Sequence, residues 1–138
     1  MKIVIIDGQG GRLGALLTEK IKSRPELKDF ELLAVGTNSI ATAAMLKAGA
    51  DFGATGENPV SVACRDADFI IGPVGIICAD SLFGEITSEA AAAVGRSSAT
   101  KILIPVNRCR IVVAGVEEKS LSSLCDDAVA LLIKSISK

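Results

Sequence analysis

A chain of 138 residues is long enough to bury a core, and its net charge of −1 excludes an electrostatic footprint for nucleic acid or an anionic membrane. Hydrophobic residues make up 49% and mean hydropathy is +0.47, yet aromatics are only 3%, so the core is aliphatic and alanine-rich, as in α/β proteins with strands buried on both faces. There is no His, and Cys64, Cys78, Cys109 and Cys125 form no C-x-x-C pair, which argues against a zinc site and for reduced, structural thiols.

In chain order, Ile3 to Ile6 form a short buried strand that runs into the glycine-rich stretch Asp7 to Gly14. Leu13, Leu16, Leu17 and Ile21 then mark one face of a helix that stops before Pro25. A second strand is expected over Glu31 to Val35, followed by Gly36-Thr37-Asn38-Ser39, which caps an alanine-rich helix ending near Gly49. Phe52 to Thr55 reads as a weak third strand, and Asn58-Pro59 as an N-cap followed by a first-turn proline.

The next strand is Asp68 to Ile71, after which Gly72 to Gly84 reads as loop with either a strand or a short helix. Thr87 opens a helix to about Ser97, and Lys101 to Val106 is a further strand. Only a few residues separate it from Ile111 to Val116, too few for a parallel crossover, so that stretch is expected as an antiparallel strand. Ser120 caps a last helix with an apolar stripe through Leu121, Leu124, Cys125, Ala128, Leu131, Leu132 and Ile136.

The expectation is a single domain over residues 1–138: a three-layer α/β/α sandwich with a doubly wound, mostly parallel sheet and one antiparallel strand near an edge. Ligands of such sheets sit at the carboxyl ends of the strands. Apolar runs are too short to span a bilayer and Asp7 interrupts the first too early for a signal-peptide core, so a cytoplasmic protein is expected. Apolar excess and a strand edge at Ile111 to Val116 point to a homodimer.

Strand, glycines and helix start together are a physical recipe for holding phosphate: glycines admit the anion, and the helix start offers unpaired N–H groups and a positive dipole end. Gly8, Gly11 and Gly14 fit G-x-x-G-x-x-G, with Gly10 as an extra glycine. This spacing resembles the fingerprint of extended and atypical short-chain dehydrogenases/reductases over the first βαβ unit. The site expected on this reading comprises Gly8, Gln9, Gly10, Gly11, Arg12, Leu13 and Gly14, with Gly36, Thr37, Asn38 and Ser39 at the ribose end and Gly72, Pro73 and Asn107 across the sheet.

The end of the second strand offers neutral Thr37, Asn38 and Ser39 where an NAD site usually has an acid, and Arg12 stands ready for a 2′-phosphate, so NADP(H) is the expected cofactor. The chain has no Tyr, so the short-chain reductase mechanism, which uses a Tyr with a nearby Lys, is excluded. Glu57, Cys78, Asp80 and Glu85 remain as loop residues near the strand ends, and the catalytic residues are unknown. A binding or regulatory module is therefore preferred over a small reductase completed by a second subunit, or a ligand-free scaffold. Over nearly its full length, through DGQGGRLG, AVGTNSIAT, MLKAGADFGATGEN, FGEIT and KILIPVNRC, the chain also resembles a small bacterial family that carries a domain-of-unknown-function label. That resemblance implies a Rossmann-like fold and assigns no activity.

Overall fold

The first strand, β1 (Lys2–Asp7), lies at the centre of a five-stranded sheet in the order β3-β2-β1-β4-β5. Its neighbours are β2 (Glu31–Gly36), β3 (Phe52–Thr55), β4 (Phe69–Pro73) and β5 (Thr100–Ile104), and all four pairings are parallel. The computed structural model describes residues 1–106 and 110–138. Helices follow the strands: α1 (Arg12–Lys22), α2 (Ser39–Lys47), α3 (Glu57–Asp66), α4 (Ser88–Arg96) and α5 (Leu121–Ile136).

The unbroken apolar run of β1 follows from this position. Strand side chains alternate between faces, and both faces of a central parallel strand are covered by helices. Ile3 and Ile5 join a core with residues of α1, α2 and α5, while Val4 and Ile6 join a second core with residues of α3 and α4. All four side chains are fully excluded from water, each contributing about 1.5–3 kcal/mol of transfer free energy. The result is a three-layer, Rossmann-like α/β/α sandwich.

The chain reaches one edge of the sheet at β3 and then returns to place β4 beside β1. That reversal opens a crevice between the carboxyl ends of β1 and β4. Gly72 allows the two strands to close up just below it, since a Cβ there would run into the Ile6 carbonyl.

One expectation for the sheet is corrected. Residues 111–116 form no strand, and the five-stranded sheet is entirely parallel. The connection starts at the carboxyl end of β5 and must reach the start of α5 at that same end of the sheet, so nothing carries it back alongside β5. Arg110 (φ 54°) and Gly115 (φ 81°) turn the backbone, and Val112, Val113 and Val116 are left exposed. The dimer argument drawn from that strand falls with it.

Two smaller features differ in detail. The Gly72 to Gly84 segment holds a 3-10 turn over Val74–Ile77 and then bends tightly, with Asp80, Leu82 and Phe83 at positive φ. Gly56, not Asn58, occupies the N-cap of α3, so Pro59 stands at the third helical position. The first-turn location still suits proline, whose missing N–H would have no intrahelical acceptor there.

Candidate functional site: a glycine turn at the sheet crevice

Between β1 and α1 the backbone makes a tight turn closed by the Gly11 amide, which donates to the Gly8 carbonyl at 2.9 Å. Gln9 (φ 50°) and Gly11 (φ 73°) both take left-handed conformations. Gly11 is the N-cap of α1 and has no side chain to cap the helix. The capping oxygen comes from Asp7 instead. Its Oδ2 accepts from the Gly14 amide at 2.7 Å and its Oδ1 from the Gly8 amide at 2.8 Å. Asp7 is 5% exposed, and burial raises its pKa above 3.8; the two amides work against that rise, and the charge of Glu85 adds to it.

The Gln9 amide donates to Glu85 Oε1 at 2.9 Å. The amides of Gly10, Arg12 and Leu13 have no hydrogen-bond partner among the described residues. These three residues line a cavity of about 340 Å³, together with Asp7 to Gln9 and Gly11. Its other wall is apolar: Pro73 from β4, Leu82, Val106 and Leu121. Arg12 is exposed at the mouth and forms no ion pair among the described residues. Donors without partners, an exposed cation and an apolar wall can together hold a small organic anion.

The structure brings Gly8, Gln9, Gly10, Gly11, Arg12, Leu13 and Pro73 to this cavity. Gly14 sits inside α1, where a Cβ would lie 2.5 Å from Met45 Sδ, so its smallness serves the packing of α1 on α2. Gly36 similarly makes room for Thr42, and Gly72 for β1. Thr37 and Asn38 do not line the cavity; Thr37 Oγ1 donates to Glu85 Oε1 at 2.5 Å and Asn38 Nδ2 donates to the same oxygen at 2.8 Å. Asn38 also caps α2, accepting from the Ala41 amide at 2.9 Å, and gives a hydrogen bond to the Gln9 carbonyl. Ser39 is exposed on the first turn of α2. Asn107 falls outside the described residues.

Of the loop residues weighed for chemistry, Glu57 accepts a hydrogen bond from Thr87 Oγ1 at the start of α3. Cys78 and Asp80 border a neighbouring cavity of about 400 Å³ with Phe83, Arg110 and Ile111. Among the described residues no group of His, Cys, Asp or Glu could hold a metal ion, and no helix is long and apolar enough to cross a membrane. Asp7 was not among the expected site residues. The signal for it is an acid standing between a buried strand and the first glycine, where its carboxylate can turn back under the helix start.

Residues 2–137 match the family described as domain of unknown function (DUF3842). The chain belongs to that family. No curated protein matches. Among solved structures, this DUF3842 chain is similar to the dodecameric FMN-dependent UbiX-like decarboxylase from Escherichia coli O157:H7, at 14% identity and a TM-score of 0.47, over 100% of this chain and 95% of that one. A likeness so distant carries no function across.

Two expectations are corrected here. The family is DUF3842, and nothing ties it to the short-chain dehydrogenases/reductases beyond the glycine spacing. NADP(H) is not upheld as the cofactor: the Glu85 carboxylate stands at the end of β2, against the Thr37 and Asn38 side chains whose neutrality supported that expectation. Neutral Thr37 and Asn38 do not leave that end of β2 uncharged, because Glu85 is hydrogen-bonded to both. Hydrogen bonds to Thr37, Gln9 and Asn38 outweigh its desolvation and hold its pKa below the usual 4.5, so it repels a phosphate there.

Proposed function

We propose that the DUF3842 chain, folded as one domain, binds a nucleotide: a phosphate at the Gly8–Leu13 turn and the remainder against the apolar wall of the crevice. One observation carries this reading. The amides of Gly10, Arg12 and Leu13 lack partners among the described residues and border a cavity of about 340 Å³ at the point where the sheet reverses direction. The first amides of a helix have no intrahelical partner, so open ones that border a cavity are placed to receive an acceptor. A phosphate suits it, since the helix dipole of α1 adds favourable charge and the Arg12 guanidinium can supply a charge-assisted hydrogen bond.

The role proposed is that of a binding or regulatory module in the cytoplasm. The test is a thermal-shift screen against FMN, FAD, NAD(H), ATP, GTP and coenzyme A; FMN belongs there as the cofactor named for the similar enzyme. A ligand at a hundred times its dissociation constant stabilises by about 2.7 kcal/mol, a shift of several degrees for a domain this size. No shift with any of them contradicts the proposal.

An enzyme is the second reading, and Asp7 is the observation that favours it. A carboxyl with a raised pKa on a cavity wall is suited to proton transfer. Its two hydrogen bonds to backbone amides fit a structural cap equally well, so turnover of a nucleotide by the wild type and its loss in Asp7→Asn are needed to establish it.

A further inference from the structure

Three elements converge on one carboxylate oxygen. Glu85 stands in the connection between β4 and α4, and its Oε1 accepts from the Gln9 amide in the glycine turn at 2.9 Å, from Thr37 Oγ1 at 2.5 Å and from Asn38 Nδ2 at 2.8 Å. Its second oxygen, Oε2, accepts no hydrogen bond from any described residue. The side chain is half-buried. Fixing a flexible glutamate through three donors from two loops costs side-chain entropy, yet it leaves one oxygen of an ionised carboxylate open beside the turn.

The position is the informative part. Gln9, whose amide Glu85 holds, is the immediate neighbour of Gly10, whose amide is open; adjacent Cα atoms are about 3.8 Å apart. Gly8, which lines the cavity, faces the same carboxylate, since a Cβ on it would lie 2.9 Å from Glu85 Oε1. The end of β2 itself carries no acid, and the carboxylate that stands there comes from a residue 48 positions further along the chain than Thr37.

We propose that Glu85 reads the hydroxyl groups of the bound nucleotide, accepting hydrogen bonds from the vicinal hydroxyls of a ribose or ribityl chain whose phosphate is held by the glycine turn. This inference rests on the phosphate-turn reading. Glu85 then sets specificity in two ways: it favours ligands with free hydroxyls beside the phosphate, and it rejects a second phosphate at the same place.

The experiment is isothermal calorimetry on the wild type, Glu85→Ala and Glu85→Gln with four probes: pyrophosphate, ADP, 2′-deoxy-ADP and FMN. Circular dichroism confirms that each variant is folded, and Glu85→Gln keeps the side-chain volume should Glu85→Ala loosen the loop. Pyrophosphate reports the turn without a sugar. Both variants are expected to bind it as well as the wild type or more tightly, because a nearby negative charge has been removed.

Affinity for the hydroxyl-bearing ligand should fall about ten- to a hundred-fold, the effect of losing a hydrogen bond to a charged group. If the sugar is ribose, wild type discriminates ADP from 2′-deoxy-ADP by a similar factor and Glu85→Ala does not; if it is ribityl, FMN carries the loss. Parallel loss of pyrophosphate and nucleotide in the variants overturns the inference, because Glu85 then only braces the turn. Unchanged nucleotide affinity overturns it too, leaving the phosphate turn standing. Failure of the wild type to bind any of the four overturns the turn and the inference together.

Discussion

A Cβ placed on Gly11 would lie 2.7 Å from the Ala41 Cα and 2.8 Å from the Ala41 carbonyl oxygen. The glycine at the start of α1 is there because the backbone of α2 passes against it, and because its φ is 73°. Gly10, one residue earlier, meets nothing within 4 Å. The two glycines therefore have different tasks. Gly11→Ala is expected to lose about 1–2 kcal/mol from the left-handed conformation alone, and more from the contact with α2. Gly10→Ala is expected to stay within about 0.5 kcal/mol of wild type, as surface substitutions usually do. Urea denaturation midpoints check both.

Much of this fold was legible in the chain. Continuous apolar runs such as Ile3 to Ile6 and Phe69 to Ile71, bounded by turn residues, mark buried parallel strands. Asn38, Thr87 and Ser120 each cap a helix as their side chains foretell. Ile111 to Val116 misled because β-branched residues read as strand wherever they stand, while a strand also needs a neighbour to pair with. Glu85 was legible only as an acid in a loop. Its partners Thr37 and Gln9 lie 48 and 76 residues away, and no local pattern joins them. The NADP(H) expectation failed for the same reason, since it judged the charge at the end of β2 from Thr37, Asn38 and Ser39 alone.

Asp7 and Glu85 should give opposite pH dependences. The Asp7 pKa is raised by burial, so its contribution to stability is complete below 3.8 and is lost as pH rises through its folded-state value. Glu85 is held low by its hydrogen bonds despite desolvation, so its contribution is present above 4.5 and is lost as pH falls through its folded-state value. Wild-type stability relative to Asp7→Asn should shrink as pH rises from 3.8; relative to Glu85→Gln it should shrink as pH falls below 4.5. Denaturant midpoints across this range give the two slopes, and slopes of the same sign would contradict the assignment.

Cys64 and Cys125 are buried, and both are free thiols. Burial pushes Cys125 up to about 11 and raises Cys64 above its ordinary value, so neither offers much thiolate near neutrality. Under native conditions both should resist an alkylating reagent over the time in which urea-unfolded protein is fully modified. Peptide mapping by mass spectrometry distinguishes them from the half-buried Cys78.

Phe83 is 98% exposed and sits at φ 57°, a conformation that disfavours a bulky side chain. Exposed Val112 and Ile77 lie in the flanking connections at the carboxyl end of the sheet. Covering Phe83 with a second copy of the chain would recover the free energy of burying an aromatic ring. Light scattering at micromolar concentration is expected to give at least a dimer, and Phe83→Asp to lower the mass. A wild type that stays monomeric would refute homo-oligomerisation.

The central claim is that the open amides beside Arg12 hold the phosphate of a nucleotide. It is tested most directly by calorimetric titration of the best ligand from the thermal-shift screen into wild type, Gly10→Val and Arg12→Ala. Gly10→Val adds a side chain where the protein has open space, so it should fold and yet lose binding. Arg12→Ala should weaken binding about ten- to a hundred-fold through loss of one charge-assisted hydrogen bond. Undiminished affinity in folded Gly10→Val would contradict the account.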